Sequence, residues 1–369
     1  MLENKMDQLN ICVQRFFGEQ RVELISFSCE DLNYQTPNFT TSGIFSIHGL
    51  AIVNQEQVPW SIILKIIKSD SVEKEDPAHH NYWRREALVF ESKILDELPG
   101  SIQAPKCYLV EEQAEGTIWL WLERIDGEYA RTEQQFDFIA ERLGQFNGAY
   151  LTGKKIPDED WICRGWLKSW TTSSRMYAPN LDTYINHLHR DKALNIWTWF
   201  NSFTNQIESN LNALNSLPRV LAHQDLSQMN MLLNQGEMEE KRLVLIDWQF
   251  MSISGIGEDL GKMFGVNMSL GVIPVHRYEE YKESLFHAYI KGLKDTGWYG
   301  DERLARYGYC LSTALRSIWE VPQYISLNAQ LQSDPLNTSL QERVIRLEQI
   351  IIIHQKMALE ADALKLCIT

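Results

Sequence analysis

The chain has 369 residues, 49 of them Asp or Glu and 35 Lys or Arg, which gives a formal net charge of −14. A hydrophobic fraction of 44% with 11% aromatics supplies enough apolar material for a buried core and excludes wholesale disorder. The length accommodates one large domain or two lobes, and the acidic balance argues against binding to a nucleic-acid backbone, which needs clustered cations. It fits a cationic small partner better.

Cys12, Cys29, Cys107, Cys163, Cys310 and Cys367 form no close pair, so neither a zinc site nor a disulfide framework is expected. Met1–Arg15 carries Glu3 and Asp7 and lacks the apolar block of a leader. The longest purely apolar run, Ile118–Leu122, falls far short of the ~18 residues of a membrane span. These features predict a cytoplasmic protein with no nucleic-acid or membrane partner, and they carry no signal of oligomeric state.

The first third has strand composition. Val22–Cys29, Gly43–Val53 and Trp60–Ile67 predict strands, with Gln55–Pro59 as the turn between the last two. Apolar residues at helical spacing predict a helix over Asn81–Leu98, stopped by Pro99-Gly100. Cys107–Val110 and Thr117–Leu122 predict two more strands around the turn Glu111–Gly116. After Asp126-Gly127 the pattern turns helical over Phe136–Leu151, Leu181–His189, Ala193–Leu217, Arg303–Trp319 and Ser339–Leu366. Short strands at Met231–Leu233 and Leu243–Ile246, joined by Asn234–Arg242, interrupt it. The expected division is a β-rich part over 1–123 and a helical part over 124–369.

The sharpest chemical signal is His223-Gln224-Asp225-Leu226, followed by Asn230 and then by a strand ending in Asp247-Trp248. A carboxylate at Asp225 can orient a hydroxyl and take its proton. Asn230 and Asp247 offer one neutral and one charged oxygen to a divalent metal. Mg²⁺ favours such ligands together with substrate phosphates. The set supplies what phosphoryl transfer requires.

HQDLSQMN and LIDWQF resemble the HxDxxxxN loop and the IDW or IDF strand end of the aminoglycoside phosphotransferase and choline kinase-like superfamily, relatives of protein kinases. The resemblance covers most of 20–320 in order and spacing. It implies an α+β, two-lobed protein kinase-like fold, with a small β-rich nucleotide-binding lobe carrying one helix and a larger helical lobe carrying catalytic loop, metal site and acceptor site. It implies ATP, with GTP as the alternative, and Mg²⁺ as cofactors. It implies Asp225 as the catalytic carboxylate and His223 beside it, its ring bracing the loop. Asn230 and Asp247 are the implied metal ligands. Lys65 is implied to hold the nucleotide phosphates and Glu86 to hold Lys65. Lys65 is preferred to Lys68 because it shares strand parity with Ile63 and Ile67. The hinge that holds the base is implied at Glu123–Ile125. Ser42 is implied at the phosphate loop, although Asn33–Gly43 has Gly43 alone where protein kinases carry GxGxxG. Asp259 resembles an acidic residue of the family and is expected to cap the helix starting near Leu260.

The expected activity is transfer of a phosphoryl group to a hydroxyl of a small, amine-bearing molecule, an antibiotic or an amino alcohol. Glu258, Asp301 and Glu320 are candidate carboxylates for the amine, among tryptophans such as Trp166, Trp170 and Trp319. The alternatives are a catalytically silent kinase-like binding protein and a protein kinase. The missing activation-segment signature counts against the second.

Overall fold

The computed structural model describes residues 2, 4–33, 40–176, 178, 191–235 and 241–368. In chain order the elements are α1 (Met6–Phe17), β1 (Val22–Asp31), β2 (Thr41–Val53), β3 (Glu56–Lys68), α2 (Arg85–Glu91), β4 (Ile102–Gln103), β5 (Cys107–Glu112), β6 (Thr117–Glu123), β7 (Glu128–Tyr129), α3 (Glu133–Leu151), α4 (Trp166–Met176), α5 (Asp191–Thr204), α6 (Ile207–Asn215), β8 (Arg219–Ala222), β9 (Met231–Gln235), β10 (Lys241–Leu245), β11 (Ser252–Gly255), α7 (Glu258–Ser269), α8 (Tyr278–Asp295), α9 (Glu302–Leu315), α10 (Ser317–Ser333) and α11 (Thr338–Ile368). They form two units. The first holds Met1–Leu98, Ile102–Glu128 and Leu232–Gln249; the second holds Pro99–Ser101, Tyr129–Met231 and Phe250–Thr369. The stretch 232–249, and Asp247 with it, therefore groups with the β-rich part and not with the rest of 124–369.

In the first unit β1, β2, β3, β6 and β5 form one antiparallel sheet in that order. Alternation along β3 sends Ile62, Leu64 and Ile66 to the face covered by Leu9, Cys12 and Val13 of α1. It sends Lys65 to the other face. The turn before β3 is tighter than expected. Val53 pairs with Glu56, and Asn54 and Gln55 between them have φ of 52° and 69°. Two residues with positive φ match the right-handed twist of a hairpin, a conformation asparagine tolerates. Pro59 accordingly lies inside β3, opposite Leu50, where β6 has not yet begun to pair. Asp247 is brought into this unit because β10 pairs in parallel with β4.

The helix expected over Asn81–Leu98 spans only Arg85–Glu91, because Ser92 turns extended and its hydroxyl bonds back to the Val89 carbonyl. The single helix expected over Ala193–Leu217 is two, α5 and α6, parted at Asn205-Gln206. Leu181–His189 lies outside the described residues, as does 236–240 of the Asn234–Arg242 turn.

In the second unit α3 begins with a capping box, Thr132 with Gln135. It packs on α8 through glycines. A Cβ on Gly144 would lie 2.1 Å from the Tyr289 carbonyl, and one on Gly292 would lie 2.0 Å from the Glu141 carbonyl. Gly292→Ala should therefore cost about 1–3 kcal/mol through backbone displacement. Denaturant unfolding measures this, and an unchanged midpoint would contradict the close packing. The same helix pair carries a buried polar chain. Tyr289 donates to Asn147 at 2.8 Å, and Asn147 donates to the Leu221 carbonyl at 3.1 Å.

The fold is mixed α+β, an antiparallel sheet in the N-terminal region followed by a helical C-terminal region. No described helix is long and apolar enough to cross a membrane. Cys12, Cys29, Cys107, Cys163 and Cys310 are free thiols.

Candidate active site

The first unit brings three of the sequence-selected residues together. Lys65 Nζ lies 2.6 Å from Glu86 Oε2 and 2.9 Å from Asp247 Oδ1. Lys65 and Glu86 are only 5% and 1% exposed. Lys68, the competing lysine, is exposed. Burial works to lower the Lys65 pKa, but the Asp247 and Glu86 carboxylates outweigh it and hold the ammonium charged. Burial pushes the Glu86 carboxyl up, and the Lys65 ammonium pulls it back.

Glu86 also accepts a hydrogen bond from the Trp248 backbone, so one helix residue steadies both the lysine and the segment after Asp247. Asp247 itself has φ of 62°, left-handed for a non-glycine residue. That strain is the kind stored at functional sites. It is sustained by ties that pattern reading missed. Buried Arg85 donates to the Pro77, His79 and His80 carbonyls at 2.6–2.8 Å and to the Gln249 carbonyl at 3.3 Å. Gln249 donates to Thr40 Oγ1 at 2.6 Å and to Asn81.

Ser42 is exposed and is the extra residue of a bulge, Thr41 pairing with Ile67 and Gly43 with Ile66. Residues 34–39 of the phosphate-loop stretch lie outside the described residues. Glu123 ends β6, and its carboxylate accepts from the Lys106 amide at 3.0 Å. The Glu123 amide donates to the Lys106 carbonyl at 2.8 Å.

The second unit holds the loop His223–Asn230. His223 is fully buried, and its Nδ1 accepts from the Asp225 amide at 3.2 Å. The ring braces the loop. Asn230 donates to the Asp225 carbonyl at 3.0 Å. Gln224 is held at φ of 60°, a second strained residue. Asp259 explains how. Its carboxylate accepts the His223 amide at 2.9 Å and the Gln224 amide at 2.8 Å. This corrects the capping expectation: α7 starts at Glu258 with Gly257 as its N-cap, and Asp259 points at the loop instead. Burial raises its pKa to about 6, the two amides opposing. Asn267, also missed, accepts from the Gln228 amide at 2.8 Å and donates to the Leu226 carbonyl at 2.9 Å.

The three carboxylates expected to meet an amine each have protein partners, although the buried Glu320 Oε2 takes no hydrogen bond. Asp301 caps α9 through the Arg303 amide. Glu320 meets Arg316 at 3.2 Å and also Ser269. Glu258 accepts the Gly255 amide at 2.7 Å and lies 3.7 Å from Arg219. Burial raises the Glu258 pKa to about 7, Arg219 and the Gly255 amide opposing and Asp259 adding to it. A carboxyl raised on folding contributes stability that is lost as pH rises through its folded value. Wild type should therefore lose stability relative to Glu258→Gln between pH 5 and pH 8. Urea midpoints at the two pH values test this, and a pH-independent difference would contradict it.

In the first unit, Asp247 has an oxygen of the kind Mg²⁺ takes. Asp247 Oδ1 is taken by Lys65, while Oδ2 has no protein partner among the described residues. Asn230, in the second unit, donates through Nδ2 and keeps its oxygen available. No three His, Cys, Asp or Glu side chains converge among the described residues.

A family model described as phosphotransferase enzyme family matches residues 56–300. Choline kinase alpha of Mus musculus is 23% identical over 208 residues, which cover 56% of this chain and 44% of that protein. The chain thus spans less than half the length of this curated relative. Among solved structures, an amicoumacin kinase in complex with AMP-PNP, Ca²⁺ and Ami superposes with a TM-score of 0.54 at 14% identity, covering 91% of this chain and 89% of that one. A Plasmodium vivax ethanolamine kinase gives 0.48 at 12% identity, covering 90% and 83%.

Proposed function

From the premise that the chain belongs to the phosphotransferase enzyme family, its residues 56–300 matching that family's model, we propose that it transfers the γ-phosphoryl group of ATP, with GTP as the alternative donor, to a hydroxyl of a small molecule. The observation that carries the reading is Lys65 held at 2.6 Å by Glu86 and at 2.9 Å by Asp247. A buried, fixed ammonium with adjacent carboxylates is suited to a nucleotide's phosphates and their metal.

Lys65 binds phosphate oxygens, and Glu86 keeps it in place. Asp225 orients the acceptor hydroxyl and takes its proton as that oxygen bonds to phosphorus and the nucleoside diphosphate leaves. Asp247 and Asn230 would hold Mg²⁺, which when bound would neutralise charge on the phosphates. His223, Asp259 and Asn267 hold the Asp225 loop, so positioning and fixed charge do most of the work. Glu123–Ile125 offers backbone groups to the base, and Ser42 stands beside the phosphates. The named substrates of choline kinase and amicoumacin kinase support a small acceptor over a protein.

The test is incubation with ATP and Mg²⁺ and a panel of antibiotics, amino alcohols, sugars and hydroxy acids, read by the mass increment of one phosphoryl group. A phosphorylated acceptor is expected. Nucleotide binding with no acceptor modified anywhere in the panel would overturn the reading in favour of a binding protein.

A further inference from the structure

Beside the Asp225 loop lies a cation as well as carboxylates. Lys262 lies three residues beyond Asp259 on α7. Its ammonium stands 4.6 Å from the centre of the Trp166 ring and 5.8 Å from that of Phe250. Among the described residues no carboxylate lies within ion-pair distance of it and no acceptor takes its protons. Burial lowers its pKa to about 8, with Asp225 and Asp259 opposing and Arg316 acting with burial.

The ammonium borders a small recess lined also by Trp166, Trp170, Gln224, Ser312 and Arg316. Trp166 and Trp170 are stacked, centroids 5.9 Å apart and planes 11° apart. Arg316 adds a second cation. Its Nη2 meets Ser269 and Glu320 at 3.2 Å, while its buried Nε has no partner. Glu258, on the same rim, is turned to Gly255 and Arg219. The free space takes about one water-sized group, the size of an oxygen and not of a ring.

An ammonium has three donors to satisfy, and ring faces satisfy none of them fully. Aromatic walls that exclude water strengthen any anion it meets. We propose that Lys262 and this recess receive a carboxylate oxygen of the acceptor, so that the preferred substrate is a hydroxy acid and not a simple amino alcohol. This rests on the phosphotransfer reading of Asp225.

The test uses hydroxy acids, their primary amides and amino alcohols of matched length. Each is measured with ATP and Mg²⁺ for transfer, and with a non-hydrolysable nucleotide for binding by calorimetry. Wild type should favour acid over amide by about tenfold or more, the scale of a charge-assisted hydrogen bond. Lys262→Met should bring that ratio to about one, and Lys262→Arg should retain part of it. Equal or better performance of amides or amino alcohols in wild type overturns the proposal, whatever the variants do. So does a preference that survives in Lys262→Met. Loss of Mg²⁺-dependent nucleotide binding in wild type would instead remove the phosphotransfer reading. Intact nucleotide binding without acid preference removes this proposal alone.

Discussion

Asp225→Ala should lower phosphoryl transfer by about 10²–10⁴-fold, the contribution of a positioned acid–base group, and leave nucleotide affinity near that of wild type. The reason is how the loop is held. Its backbone is fixed by Asp259 at the His223 and Gln224 amides, by Asn267 at Leu226 and Gln228, and by Asn230 at the Asp225 carbonyl. These ties run through the backbone of the loop, so they remain when the carboxylate is truncated. The loss should appear in kcat. Asp225→Asn should behave alike, because an amide fills the space but cannot take the proton. Full activity in either variant would sink the assignment.

Lys65→Met should be the most destabilising change in the site. It strands Glu86, 1% exposed, beside Asp247 without the ammonium between them. Removing one partner of a buried pair costs about 3–5 kcal/mol. The sign with pH follows from the Glu86 carboxyl. Burial pushes it up and Lys65 opposes that. Without Lys65, Glu86 favours folding less as pH rises, and the deficit should shrink as pH falls from 8 to 5. Lys65→Met combined with Glu86→Leu should recover much of the stability, since a buried pair replaced by apolar groups is often neutral. It should still not bind nucleotide. Unfolding midpoints and nucleotide titrations separate the two effects. A Lys65→Met protein as stable as wild type would mean that the ion pair carries no such weight.

These two residues were legible because their signals are local. HQDLSQMN places Asp225 and Asn230 in one run, and strand parity selects Lys65 over Lys68. What escaped acts across long separations. Asp259 clamps amides 35 and 36 residues away, yet its local sequence reads equally well as a helix cap. Arg85 reaches Gln249, 164 residues on, and beside Glu86 it has the look of a surface helix residue. The pairing of β10 with the two-residue β4 leaves no periodicity to find. The Asn81–Leu98 spacing overran its helix because apolar repeats continue past Ser92, where side-chain bonding to the backbone ends it. The break at Asn205-Gln206 has neither glycine nor proline to announce it. Exposure decides the acceptor wall. Composition favoured carboxylates for a cation, but each has protein partners, and Lys262 borders the recess.

The most direct measurement is calorimetric titration of ATP with and without Mg²⁺ in wild type and in Asp247→Ala. Wild type should bind ATP markedly more tightly with Mg²⁺, and Asp247→Ala should lose that dependence while retaining its fold. Mg²⁺-independent binding in wild type, or an unchanged Mg²⁺ effect in the variant, would contradict the assignment of Lys65, Glu86 and Asp247 as the nucleotide–metal site.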